Sequence, residues 1–232
     1  MRELLCDIFK SLRVEADPAR FEKFSEMLLE TNKVMNLTAI CDPREVCIRH
    51  FADSLALLGS YDFSGKRVID VGCGAGFPGL PLRLARDDIS LTLLDSLGKR
   101  INFLSGVCES LALSDVECIH ARAEEQAVKK GYREGFDIAT SRAVADLSVL
   151  SELCLPYVKV GGVFLAMKAE NCEEELNGAK NAIKTLGGEL VKRFDYPLYD
   201  TGITHTVLVI EKVRETPAKY PRRFAKIKSN PL

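Results

Sequence analysis

The chain has 232 residues, of which 47% are hydrophobic, 28% charged and 7% aromatic with no Trp, a composition that excludes a disordered or fibrous protein. No apolar run approaches the roughly 18 residues of a membrane span, and the length fits one α/β domain with an extension better than two full domains. The net charge of −1 hides an asymmetry: from Arg214 to Leu232 six bases face one acid, Glu215, a net of +5 that leaves −6 for residues 1–213.

Glu3 and Asp7 within the first ten residues, with no small-residue cleavage site behind them, read as neither a signal nor a transit peptide, so a cytoplasmic location is expected. Phe21, Phe24, Leu28 and Leu29 then recur at three- and four-residue steps after Asp17-Pro18, a helix cap followed by a first-turn proline. A second stripe, Val46, Cys47, Phe51, Ser54, Leu55 and Leu58, begins after Asp42-Pro43 and stops at Gly59. Residues 1–60 therefore read as a helical extension.

From Lys66 the pattern changes to short apolar runs, each followed by turn residues and a helix-like stretch, the signature of βα repeats on a parallel sheet. Seven strands are expected, at 67–71, 91–95, 116–120, 136–140, 163–167, 189–196 and 206–211. Pro197 to His205 leaves no room for a crossover helix, so the last two strands should be antiparallel neighbours. Residues 61–213 thus read as a Rossmann-like α/β domain and 214–232 as a basic tail. Eight dispersed cysteines form no C-x-x-C pair, which argues against structural zinc and for small buried hydrophobes, Cys118 among them.

The loop Asp70-Val71-Gly72-Cys73-Gly74-Ala75-Gly76-Phe77-Pro78-Gly79 joins the first strand to an apolar helix. Glycines let the backbone turn tightly and approach a ligand. Read literally, Gly74, Gly76 and Gly79 satisfy G-x-G-x-x-G, with Asp95 ending the next strand, and this fits a nicotinamide-dependent oxidoreductase. Asp70 argues otherwise, because a carboxylate there would repel a pyrophosphate but suits the ammonium of S-adenosylmethionine. Asp95, with Ser96 beside it, then falls on the ribose hydroxyls, and the antiparallel closing strand also belongs to methyltransferase sheets. Ala123-Glu124 ends the third strand where an adenine would lie, Glu124 accepting from its amino group or standing as a solvated helix-start acid. Arg142 lies at the switch-point crevice, for substrate, cofactor or a simple salt bridge. Lys168 is similarly placed or is a solvated strand end.

Together these residues resemble one family, the bacterial ribosomal RNA small-subunit methyltransferase G, or glucose-inhibited division protein B. The resemblance rests on Met35-Asn36-Leu37-Thr38, Arg49-His50-Phe51-Ala52-Asp53-Ser54-Leu55, the glycine loop, Leu94-Asp95-Ser96-Leu97-Gly98-Lys99-Arg100, Ala123-Glu124, Ser141-Arg142-Ala143 and Tyr220-Pro221-Arg222. It implies a class I fold and methyl transfer from S-adenosylmethionine to N7 of a guanine in 16S ribosomal RNA. Its cofactor positions carry over to Gly72, Phe77, Ala123, Glu124 and Arg142. The tail departs from the family pattern, since Arg223-Phe224-Ala225 stand where a glycine is expected soon after Tyr-Pro-Arg.

Guanine N7 carries an unprotonated in-plane lone pair, so no general base is needed, and His50, His120 and His205 are expected in structural or RNA-contact roles. Arg142 is expected to orient the guanine, donating to O6, or the cofactor. Phe77 either covers the ligand and flipped base or packs within its loop. Arg49, His50, Lys168, Arg222 and Arg223 are the expected RNA contacts, the tail being either a phosphate-binding arm or a solvated terminus. No metal is expected, and a monomer is. The rival readings are the oxidoreductase, a non-catalytic RNA-binding protein of this fold, and a small-molecule methyltransferase.

Overall fold

The computed structural model describes residues 1–142 and 145–232. Helix α1 (Arg2–Leu12) leads into α2 (Pro18–Met35), where Asp17 Oδ1 accepts the N–H of Ala19 at 2.9 Å. Asp42 likewise accepts the N–H groups of Arg44 and Glu45 ahead of α3 (Pro43–Glu45). The stripe that follows is not one regular α-helix. A π-helical segment, Val46–Ala52, leads into α4 (Asp53–Leu55) and a 3₁₀ turn, Ala56–Gly59. Wide turns of this kind often mark functional sites, and this one carries His50 next to Asp53.

Seven strands form one sheet: β1 (Arg67–Val71), β2 (Ser90–Asp95), β3 (Val116–His120), β4 (Phe136–Arg142), β5 (Val158–Ala169), β6 (Gly188–Pro197) and β7 (Thr204–Lys212). Their order is β3-β2-β1-β4-β5-β7-β6, with β1 to β5 parallel and β7 antiparallel to both β5 and β6. Strand β5 starts at Val158, before the expected Val163, because the chain stays in the sheet through Gly161-Gly162, a pair that breaks the alternating pattern in the sequence. Between the strands run α5 (Gly79–Ala85), α6 (Gly98–Ser110), α7 (Ala123–Gln126), α8 (Leu147–Cys154) and α9 (Glu173–Thr185).

Alternation along each strand sends neighbouring residues to opposite faces. Val68, Leu93 and Leu165 join Leu5, Phe21, Phe24 and Phe51 of the N-terminal helices in one core, while Ile69, Leu94 and Phe164 join α8 and α9 in the other. Five cysteines are buried, but Cys118, expected inside, is half-buried on the edge strand β3, and Cys41 is exposed. Among the described residues no helix is long and apolar enough to cross a membrane.

The tail is packed on the body of the molecule and is not a merely solvated terminus. The Arg133 guanidinium donates to the carbonyls of Thr216 (2.7 Å) and Tyr220 (2.9 Å), and Arg222 grips both carboxylate oxygens of fully buried Glu152. A short helix, α10 (Phe224–Ser229), then sinks Ile227 into the second core. Arg222 is thus committed within the molecule, and Arg223, Lys226 and Lys228 remain exposed.

Candidate functional site

Parallel strands release their connections at one edge, and the turns after β1, β2 and β3 meet there with Ala145, beyond β4. Gly72 and Gly76 hold φ of 73° and 101°, a region that disfavours any side chain. A Cβ on Gly76 would also lie 2.8 Å from Leu80 and Leu104. Asp95 ties this loop down: Oδ2 accepts the N–H of Gly74 at 3.0 Å and Arg100 Nη1 at 3.2 Å, and Oδ1 accepts the N–H of Leu97 at 2.8 Å. Lys99 reaches back instead, to the carbonyl of Met35 at 3.1 Å.

Asp70 is fully buried beneath the loop, where Oδ2 accepts the N–H of Gly79 at 2.8 Å and Oδ1 has no partner. Burial pushes its carboxyl up to about 7, against the Gly79 hydrogen bond. A cavity of about 380 Å³ opens beside the loop, walled in part by Gly72, Asp95, Ser96, Ala123 and Glu124. Gly74, Gly76 and Asp70 shape or underlie the loop without lining that cavity. The Phe77 ring is turned away into the helical core, stacked on His50 at 4.2 Å and on Phe24 at 5.4 Å, so loop packing is its observed place.

Arg142, at the end of β4, is held on three sides. Nη1 donates to Asp53 Oδ2 (2.8 Å) and to the carbonyl of Arg49 (2.9 Å), and Nη2 meets His50 Nδ1 at 2.9 Å. Because arginine only donates, His50 Nδ1 is the acceptor, which leaves Nε2–H to donate to Thr38 Oγ1 at 2.9 Å. His50 is therefore neutral, and burial, aided by the Arg142 charge, lowers its pKa to about 3. Asp53 Oδ1 takes two more donors, the Tyr196 hydroxyl and His205 Nδ1, each at 2.7 Å. Burial opposes its charge, yet His205, Arg142 and Tyr196 together hold the carboxyl below its ordinary value.

This network borders a second cavity, of about 510 Å³, lined by Arg49, His50, Asp53, Arg142, Lys168 and His205 among others. Lys168 is not a solvated strand end: its side chain is largely buried, ion-paired with Glu175, and donates to the carbonyl of Ala145 at 3.0 Å. Arg49 pairs with Glu45 one helical turn away. Ala143 of the Ser-Arg-Ala turn lies outside the described residues. Neither Asp53 nor Tyr196 has a role that the sequence alone reveals. Their convergence needs Asp53 to meet Arg142 across 89 positions of the chain and Tyr196 across 143. The one local sign was an acid inside an apolar stripe.

Comparison with known proteins gives this geometry a lineage. The family model described as rRNA small subunit methyltransferase G matches residues 17–195. The chain belongs to this family. It is 48% identical over 231 residues to the ribosomal RNA small subunit methyltransferase G of Clostridium perfringens strain SM101, covering 98% of this chain and 95% of that one. The protein of the same name from Alkaliphilus oremlandii is 47% identical, covering 100% and 99%. Family membership removes the oxidoreductase reading of the glycine loop.

Solved structures share the fold alone. TYW2 of M. jannaschii in complex with AdoMet superposes with a TM-score of 0.51 at 17% identity, covering 63% of this chain and 69% of its own. A SAM-dependent methyltransferase from Methanosarcina mazei gives 0.53 at 15%, covering 68% and 98%. The fold is that of a class I S-adenosylmethionine-dependent methyltransferase.

Proposed function

We propose that the protein transfers the methyl group of S-adenosylmethionine to N7 of a guanine in 16S ribosomal RNA, acting in the cytoplasm as a monomer without a metal. The observation that carries this reading is a pair of cavities at the carboxyl ends of the parallel strands, one past β1, β2 and β3 and one past β4 and β5, bridged by a hydrogen bond. Ala145 lines the first, and its carbonyl is held by Lys168, which lines the second. One cavity would hold the cofactor and the other the base.

The residues of the smaller cavity suit the cofactor. Asp95 and Ser96 sit where ribose hydroxyls would lie, and Glu124 offers an acceptor to an adenine amine; Asp70, whose Oδ1 has no partner, lies fully buried beneath the loop and not on the cavity wall. The bound cofactor supplies an electrophilic methyl on a sulfonium. Guanine N7 is already unprotonated at neutral pH, so the side chains here have no proton to remove from it. Their work is orientation, which supplies up to about 7 to 11 kcal/mol when the reacting atoms are aligned. Arg142 suits that work because Asp53, His50 and the Arg49 carbonyl leave its guanidinium one orientation. Arg49, His205 and Lys168 border the space left for the base.

The deciding experiment offers labelled S-adenosylmethionine to 16S RNA and to small subunits from cells lacking the enzyme, then maps the modified base. Label at a guanine N7 is expected. Cofactor and RNA binding with no transfer would instead favour the non-catalytic RNA-binding reading.

A further inference from the structure

We propose that the C-terminal helix α10 is part of the cofactor site, with the Phe224 ring supplying an aromatic wall for the adenine. The inference rests on the S-adenosylmethionine reading above and names a residue that reading leaves out.

Phe224 reaches the 380 Å³ cavity from the far end of the chain and forms its wall together with Arg122, Glu124, Leu150 and Leu153. The Arg122 guanidinium lies 5.8 Å from the centre of the Phe224 ring, so the turn after β3 and the tail come into contact at this end of the cavity. The tail is not resting there loosely. Arg222 is bonded to Glu152 of α8, the same helix that presents Leu150 and Leu153 to the cavity, and Ile227 is completely buried one turn beyond Phe224. The anchor and the wall are therefore one rigid unit.

An adenine needs flat apolar faces around its ring and one acceptor at its amino edge. Leu150, Leu153 and Phe224 provide the first and Glu124 the second. Neither ribose nor the methionyl chain would use an aromatic wall, which places the adenine at this end. Because the ligand then touches α10, ligand binding and tail docking stabilise each other by the same free energy.

Calorimetry of S-adenosylhomocysteine and of adenosine binding to wild type, Phe224→Ala and Phe224→Leu tests this, alongside melting of each free protein to establish that it is folded. An aromatic–base contact is worth on the order of tenfold in affinity, so Phe224→Ala should lose about that for both ligands, with Phe224→Leu intermediate. Tryptic cleavage after Lys226 and Lys228 should slow when S-adenosylhomocysteine is added to wild type. Unchanged affinities in folded Phe224→Ala, or cleavage indifferent to ligand, would overturn the proposal while leaving the methyltransferase reading intact. Failure of wild type to bind S-adenosylhomocysteine would overturn that reading itself.

Discussion

Asp53 is the side chain on which the site turns. It accepts from Arg142, Tyr196 and His205, and each of those donors borders the proposed base cavity or buttresses it. Asp53→Asn keeps the volume but cannot satisfy three donors and one positive charge. Methyl transfer should fall by about 100-fold, the usual result of a misplacement near 1 Å, while calorimetric affinity for S-adenosylhomocysteine stays unchanged. His50 gives a test of a different kind. Its pKa is lowered to about 3 in the folded protein against an ordinary value of 6.5, so the unfolded chain binds the proton first. Above pH 6.5 His50 contributes no pH dependence; from 6.5 down towards 3 it withdraws stability progressively. Urea denaturation across that window should show a smaller loss for His50→Gln than for wild type. Asp70 titrates in the opposite sense, its raised pKa favouring the folded state at low pH, and because it is present in both proteins their difference isolates His50.

At the scale of elements, the tail shows why charge counting misleads. Six bases in nineteen residues read as a phosphate-binding arm, yet Arg222 is spent on Glu152, and Glu152 sits wholly inside α8's packing. Arg222→Ala strands that carboxylate, and removing one partner of a buried pair costs about 3 to 5 kcal/mol. The midpoint of chemical denaturation should drop accordingly, before any RNA is added; a variant as stable as wild type would mean the pair is not formed in solution. The second helical stripe teaches the complementary lesson. Its caps, Asp42-Pro43 and Gly59, were legible because capping is local chemistry, whereas the π-helical turn that aims His50 and Asp53 at Arg142 was not, because it is imposed by what the helix packs against. Apart from β5, the strands were legible to within two residues at each end, because β1, β2, β4 and β7 are largely apolar runs that end in turn residues; the edge strands β3 and β6 carry charges as well.

Over the whole molecule, residues 1–213 carry a net charge of −6 and the tail one of +5. Arg223, just ahead of α10, and Lys226 and Lys228 on it are exposed bases of the tail. Replacing all three with Gln should lower the slope of log affinity against log salt for single-stranded 16S fragments, by about 0.7 for every phosphate those bases neutralise. Fluorescence anisotropy at several salt concentrations measures that slope, and an unchanged value would place the RNA elsewhere. The sequence by itself determined the sheet, the glycine loop and the acids at the strand ends, because periodicity, glycine conformational freedom and the position after a strand are properties of a few consecutive residues. Only the tertiary structure decided that Phe77 turns inward, that Arg142 is clamped by Asp53 and His50, and that the tail folds back to put Phe224 on the same cavity as Glu124. Each of those depends on side chains tens to a hundred residues apart competing for the same hydrogen bonds and buried surface, and no window of the chain contains both competitors.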